Sequence, residues 1–334
     1  MTRPLKAGVI GLGVGERHAA AYQAEHGVEL VAICDLDTAR LKEVGDRLGV
    51  SERHSDWRRI TEHPELDVVS ICSYDDCHAE QAVSAFRHGK HVMVEKPAAL
   101  HRSEAEAMLR AMTDSKRLIT SNLILRKSPR FIAVREMIRA GQFGEIFYLE
   151  GDYIHEILWK IVTGWRGRMP FYCVTYGGGI HLIDLMRWLM GQEIVEISGM
   201  GNKLASRDAD FPYPDTIVNL MRFEGGALAK SLTTFAPQRL QIHALSVYGS
   251  RATFINDMPD AKLFSGSKPG DEAPMRVPYP AIEKGALLPD FIGAIREGRE
   301  PEVGARDIFR VMDVCFAAWE SVEQGRPVKV SYLI

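Results

Sequence analysis

Leu5-Lys6-Ala7-Gly8-Val9-Ile10-Gly11-Leu12-Gly13-Val14-Gly15-Glu16-Arg17-His18 is the stretch whose reading decides the fold. A short apolar run, Leu5 to Ile10, feeds a glycine turn and then alanine-rich, helix-forming sequence from about Arg17 to Glu25. A pyrophosphate needs backbone N–H groups at close range and a helix N-terminus aimed at it, and glycine permits that approach because no Cβ intervenes. Gly11 and Gly13 take the first two places of G-x-G-x-x-G, and Val14 follows as a further backbone donor at the helix start. The third place holds Glu16, with Gly15 one residue early. A tight strand-to-helix turn without a ligand uses the same residues, so the motif takes its weight from what surrounds it.

The surroundings alternate. Val28 to Cys34, Asp67 to Cys72, Val92 to Glu95 and Leu118 to Asn122 are strand-like, and Thr38 to Leu48, His78 to His88 and Ser103 to Ser115 are helix-like. Strands alternating with helices of this length imply right-handed crossovers and a parallel sheet covered on both faces. Residues 1–124 are therefore expected to form a Rossmann dinucleotide-binding domain. Beyond residue 125 the texture changes to closely spaced strand-like runs, Ile146 to Ile154, Val195 to Leu204, Thr216 to Phe223, Ala227 to Phe235 and Ile242 to Tyr248, joined by short turns. Residues 125–334 are expected to form an α+β domain on a largely antiparallel open sheet, with Asp257 to Pro280 an irregular surface excursion. The fold class is α/β.

Composition narrows the function classes. A chain of 334 residues is long for one core and suits roughly two domains of about 100 to 200 residues. A net charge of −3 supplies no positive field for phosphate backbones, so no nucleic-acid partner is expected. No apolar run approaches the roughly 18 residues that span a bilayer, and the N-terminus runs straight into a strand, so a cytoplasmic protein with no membrane partner is expected. Cys34, Cys72, Cys77, Cys173 and Cys315 form no C-x-x-C pair and read as reduced thiols; no metal site is expected.

Two further features carry chemistry. Asp35 ends the second strand 22 residues after Gly13, where a carboxylate accepts ribose hydroxyls and repels a 2′-phosphate, favouring NAD over NADP, although Arg40 lies close enough to offset part of that repulsion. A helix-capping aspartate would occupy the same place. Glu95-Lys96-Pro97 puts a lysine at the carboxyl end of a central strand, the edge at which open α/β sheets bind ligands.

Together with Gly177-Gly178-Gly179-Ile180-His181-Leu182-Ile183-Asp184, these motifs resemble the Gfo/Idh/MocA oxidoreductases over essentially the whole chain. The resemblance implies hydride transfer between a bound nicotinamide and a secondary hydroxyl or keto carbon of a sugar, cyclic polyol or nucleotide sugar. It makes Lys96 the alkoxide stabiliser and His181 the proton acceptor, with Asp184 orienting the imidazole or binding a substrate hydroxyl. By the same resemblance Ser73, Asp75, His78, Glu95 and Lys96 join Gly11, Gly13, Val14 and Asp35 at the cofactor. The chain departs from the family at Gly177, where many members carry an aspartate four residues before the histidine. Tyr176, His155 or a substrate group is left to fill that place.

Arg126, Tyr153, Trp165, Arg166 and Tyr176 concentrate donors and ring faces around the glycines, as a sugar site requires, and join Lys96, His181 and Asp184 as the expected substrate-binding set. Arg166 and Arg168 also suit a carboxylate or phosphate. Two alternatives remain at this stage: a cofactor-recycling glycosidase or lyase of the same family, and a non-catalytic ligand-sensing regulator. One uncovered face of the antiparallel sheet is expected to pair two copies into a homodimer or homotetramer.

Overall fold

The computed structural model describes residues 3–334. Among them two sheets form. The first takes β1 (Leu5–Ile10), β2 (Val28–Cys34), β3 (Glu52–His54), β4 (Val68–Ile71), β5 (His91–Val94) and β6 (Ile119–Ser121) in the order β3-β2-β1-β4-β5-β6, with parallel pairing throughout. The order reverses between β1 and β4, so the crevice for a dinucleotide opens at their carboxyl ends. The second sheet takes β7 (Ile146–Ile154), β8 (Ile194–Asn202), β9 (Thr216–Phe223), β10 (Leu228–Thr234), β11 (Ile242–Gly249), β12 (Thr253–Ile255), β13 (Ala261–Phe264), β14 (Glu272–Met275) and β15 (Val328–Lys329). Its pairs are antiparallel except β7 with β10, which run parallel.

The helices are α1 (Gly15–Ala24), α2 (Thr38–Leu48), α3 (Arg58–Thr61), α4 (His78–Arg87), α5 (Arg102–Ser115), α6 (Pro129–Arg139), α7 (Trp159–Val162), α8 (Ile180–Met190), α9 (Leu288–Glu297) and α10 (Ala305–Gln324). Strand β4 is buried along its whole length, and β5 from Val92 onward, as apolar strands covered by helices on both faces must be. Strand β3 escapes an apolar-pattern search because Glu52-Arg53-His54 is polar and pairs only at the sheet's edge. Four of the five cysteines are buried thiols and Cys77 is half-buried.

The chain divides into one compact unit of residues 1–124 with 283–309 and Ile334, and a second of 125–282 with 310–333. The expected assignment of everything after residue 125 to the second domain is corrected for α9. Leu288, Phe291 and Ile292 bury against Ala7, Ala19 and Tyr22 in the first unit's core, and Arg296 donates to the His26 carbonyl at 2.7 Å. The apolar stripe of α9 is complementary to the α1–β1 layer, which sequence order cannot reveal. A second correction concerns Asp257 to Pro280, which holds β13 and β14 and extends the second sheet.

Within the second unit, α8 is buried at every position from Ile180 to Leu189. A helix apolar all round belongs inside a core, and it carries His181, Asp184 and Arg187 in with it. Each of those three must be compensated, because burying an unpaired charge or polar group is costly.

Candidate active site

The first unit builds a nucleotide cradle. Gly11 sits in the left-handed region at φ 82°, and a Cβ there would collide with the Cys72 carbonyl, so only glycine closes the turn between β1 and β4. Above Gly13 the space is open, the clearance a pyrophosphate needs. A Cβ on Gly15 would stand 2.9 Å from Val9 Cγ1, so Gly15 does the helix-packing work of the third glycine from one position early. Glu16, in the motif's nominal third place, faces outward to Arg47 at 2.8 Å. Asp35 accepts from the Leu12 backbone at 2.6 Å and from the Asp37 backbone at 2.8 Å, which pins the glycine loop to the end of β2. Arg40 reaches the Leu12 carbonyl at 3.4 Å on the same loop. Glycine turn, helix start and strand-end carboxylate thus fit an NAD molecule.

Beneath Lys96 lies a buried polar chain. Glu95 Oε1 accepts from Asn122 Nδ2 at 2.7 Å and stands 3.4 Å from His18 Nε2, while Oε2 faces the Lys96 backbone N–H at 3.3 Å. His18 Nδ1 lies 3.2 Å from Ser70 Oγ, which is 2.9 Å from the Tyr22 hydroxyl. Burial opposes ionisation of Glu95, but the contact and charge of His18, the Lys96 ammonium and the Asn122 amide together outweigh it and hold the carboxyl down at about 2. The carboxylate is thus an internal anchor for the strand-end lysine. The Lys96–Pro97 bond is cis.

The second unit builds its half around three consecutive glycines in a π-helical turn, Thr175–Gly179, that leads into α8. A Cβ on Gly177 would collide with the Tyr172 hydroxyl, one on Gly178 with the Tyr153 ring, and one on Gly179 with the Thr233 hydroxyl. Their absence lets two phenols and a hydroxyl close on the backbone just before His181. The His181 ring stacks with Tyr153 at 6.3 Å and meets His243 edge-on at 6.1 Å. The Tyr153 hydroxyl lies 3.0 Å from His155 Nδ1, and His243 Nδ1 lies 3.0 Å from the Tyr279 hydroxyl. Burial pushes the Tyr153 phenol up to about 12 against the opposing pull of the Arg166 cation. Arg166 lies over Trp165 at 4.1 Å and 6.0 Å from the Tyr172 ring. The result is a cluster of imidazoles, phenols and a guanidinium, whose N–H, O–H and ring faces suit a hydroxyl-rich ligand.

Two family models match the chain: the oxidoreductase family's NAD-binding Rossmann fold over residues 5–123 and its C-terminal alpha/beta domain over 135–330. The chain belongs to the Gfo/Idh/MocA oxidoreductases. This Gfo/Idh/MocA chain is 26% identical over 344 residues to myo-inositol 2-dehydrogenase of Thermotoga maritima, covering 99% of the one and 100% of the other. It is 24% identical over 343 residues to scyllo-inositol 2-dehydrogenase (NAD(+)) of Bacillus subtilis, covering 99% and 97%. Levoglucosan dehydrogenase in complex with NADH shares the fold at a TM-score of 0.86 and 22% identity, covering 99% of this chain and 100% of that one.

Within this Gfo/Idh/MocA framework several expected site residues take other duties. His78 is fully buried, with Nδ1 2.7 Å from the Pro97 carbonyl and Nε2 3.2 Å from the Ser73 carbonyl; it braces the loop after β4 to the loop after β5. Ser73 Oγ donates to Gln81 at 2.7 Å, and Asp75 is buried at the start of a short 3-10 turn. Tyr176 is a core aromatic 5.7 Å from Phe171 and 5.9 Å from Phe316, with burial raising its phenol well above the usual range, so it offers no face to a sugar. Arg126 and Asp184 form a bidentate pair at 2.8 and 2.5 Å, both nearly inaccessible, with Arg187 3.8 Å from Asp184. Their partnership fixes the 3-10 turn before α6 to α8. Tyr153, Trp165, Arg166 and His181 do come together. His18, Asn122, Tyr172, His243 and Tyr279 were missed. Single polar residues in apolar runs were the only signal for His18 and Asn122, and nothing local distinguishes His243 or Tyr279.

Proposed function

We propose that this protein is an NAD-dependent dehydrogenase that moves hydride between nicotinamide and a secondary hydroxyl or keto carbon of a sugar or cyclic polyol. The observation that carries it is His181 set among Tyr153, His155 and His243 at the start of a buried helix, where an imidazole can exchange a hydroxyl proton amid groups that bind neighbouring hydroxyls. Bound NAD supplies the hydride acceptor. Lys96, anchored through the Glu95 network, stabilises the alkoxide charge as the hydroxyl proton leaves, and His181 takes that proton. Asp35 hydrogen-bonds the adenosine ribose and favours NAD over NADP. Inositol and anhydrosugar dehydrogenases among the relatives support a ring-shaped polyhydroxy substrate.

A panel of inositols, aldoses and anhydrosugars assayed for NADH formation tests the proposal. Lys96→Ala is expected to lower kcat by about 10²- to 10³-fold, the loss typical of one alkoxide-stabilising donor, and His181→Ala by about 10²-fold or more. Full turnover in both variants would refute the mechanism, and glycoside cleavage without net NADH would favour a cofactor-recycling lyase.

The same reading includes a homodimer or homotetramer. On the outward face of the second sheet Met200, Val218, Leu220 and Leu228 are exposed, and Met200 pairs in register with Val218. An apolar sheet face of this kind is commonly covered by a partner. Light scattering at micromolar concentration is expected to give at least twice the 37.3 kDa chain mass; a monomer mass would contradict it.

A further inference from the structure

Tyr279 and His243, far apart in sequence, make two contacts with each other. The Tyr279 hydroxyl accepts from the His243 backbone N–H at 2.8 Å and lies 3.0 Å from Nδ1 of the same histidine. A backbone N–H can only donate, so the phenol oxygen is the acceptor in the first contact and its own O–H is available for the second. Burial raises the Tyr279 phenol above its ordinary range, against the opposing pull of the His243 N–H, the Asn256 amide and the Arg130 cation, so the hydroxyl keeps its proton. With that O–H donated to Nδ1, Nδ1 is the bare nitrogen of the neutral ring and Nε2 carries the hydrogen.

The phenol is itself held. Arg130, on α6 and 1% exposed, donates to the carbonyls of Val277 at 2.8 Å, Asp257 at 2.7 Å and Pro259 at 2.8 Å, and to Asn256 Oδ1 at 2.9 Å. A guanidinium accepts nothing, so the Asn256 oxygen must face it, and the amide nitrogen then donates to the His243 carbonyl at 2.9 Å. Arg130 also lies 5.1 Å from the Tyr279 ring centre, and Phe131 meets that ring edge-on at 5.6 Å. One buried cation thus ties the chain before β13 and after β14 to α6, and keeps the Tyr279 hydroxyl on His243.

We propose that Tyr279 is a positioning residue that holds His243 as its Nε2–H tautomer, and that His243 uses this N–H to bind a substrate oxygen in the dehydrogenase reaction. This rests on the dehydrogenase reading above. His243 stands directly opposite Tyr153 in the β7–β11 register, and its ring lies 5.5 Å from that of Tyr153 and 6.1 Å from that of His181. A polyol that gives its reacting hydroxyl to His181 has a neighbouring hydroxyl within reach of a ring that close. A neutral N–H suits that place: it orients an oxygen lone pair and adds no positive charge to oppose the one that His181 gains with the proton.

The tautomer can be read without turnover. In protein labelled with nitrogen-15 histidine, at about pH 8, where an ordinary imidazole is neutral, NMR is expected to show His243 with a hydrogen-bearing Nε2 and a bare Nδ1. Loss of its signals in His243→Leu picks them out among the 11 histidines. Tyr279→Phe keeps the ring contacts and removes the hydroxyl; the two tautomers are then expected to mix, and kcat/KM for the polyol to fall by about tenfold with KM for NAD unchanged. His243→Leu is expected to lose about tenfold to a hundredfold in kcat/KM, and His243→Gln, which keeps an N–H donor, to recover part of that loss. A majority Nδ1–H form in the wild type, or a tautomer unmoved in Tyr279→Phe, would overturn the positioning role, and kcat/KM unchanged in His243→Leu would overturn the donor role; both results leave the dehydrogenase reading standing. Absence of NADH formation by wild type across the whole sugar panel would overturn that reading and the donor role with it, while the tautomer still decides what Tyr279 does.

Discussion

Each unit buries a carboxylate beside cations, and the two are used differently. Glu95 in the first unit is anchored by His18, Asn122 and its neighbour Lys96, groups that converge on one edge of a parallel sheet. The anion there stands beside a lysine at the carboxyl end of a strand, the edge at which open α/β sheets bind ligands. Asp184 in the second unit is committed to Arg126, with Arg187 close by, and what surrounds His181 is built from phenols, imidazoles and the Arg166 cation. One buried carboxylate stands beside the strand-end lysine, and the other joins α8 to the turn before α6. The residue type is the same in charge, so only the partners separate the roles.

The strongest way to break this contrast is to remove half of the Arg126–Asp184 pair. Asp184→Ala removes the bidentate partner of a buried guanidinium, and such losses cost about 3 to 5 kcal/mol. The melting temperature should fall on the order of 10 °C. Replacing both residues by apolar ones, Arg126→Met with Asp184→Leu, should recover much of that loss. A drop of only a degree or two for the single variant would show that Asp184 is not structural.

Glu95 gives a pH-dependent counterpart. Its carboxyl is held at about 2 against an ordinary 4.5, so its contribution to stability is fully present above pH 4.5 and is lost as pH falls toward 2. The stability gap between wild type and Glu95→Gln in urea unfolding should therefore narrow across that window. The total narrowing should be on the order of 3 kcal/mol. A gap that stays constant from pH 5 to pH 3 would mean that the carboxylate gains nothing from its network.

The same contrast explains what was legible in the sequence. The placement of Gly11, Gly13, Asp35 and Lys96 was legible because its parts are local: they follow strands whose order comes from alternating strands and helices. The cluster around His181 is assembled by register. Tyr153 and His243 meet because β7 pairs antiparallel with β11, with Tyr153 directly opposite His243, across about ninety residues of chain. No spacing rule encodes that pairing. The triple glycine was visible, but its meaning was not, since the groups that press on it come from Tyr172, Tyr153 and Thr233. Arg126, Asp184 and Tyr176 have the chemistry of a sugar site, and the partners they are buried with come from distant parts of the chain.

Tyr176 offers the smallest and most discriminating check on that last point. An aromatic beside three glycines and a histidine has every sequence mark of a sugar-stacking ring, yet its edges meet Phe171 and Phe316 inside the second unit. Tyr176→Phe keeps that ring packing and removes only the hydroxyl, so KM for the polyol and kcat should stay within about twofold of wild type and stability within about 1 kcal/mol. A loss of tenfold or more in kcat or KM would place the Tyr176 hydroxyl at the substrate.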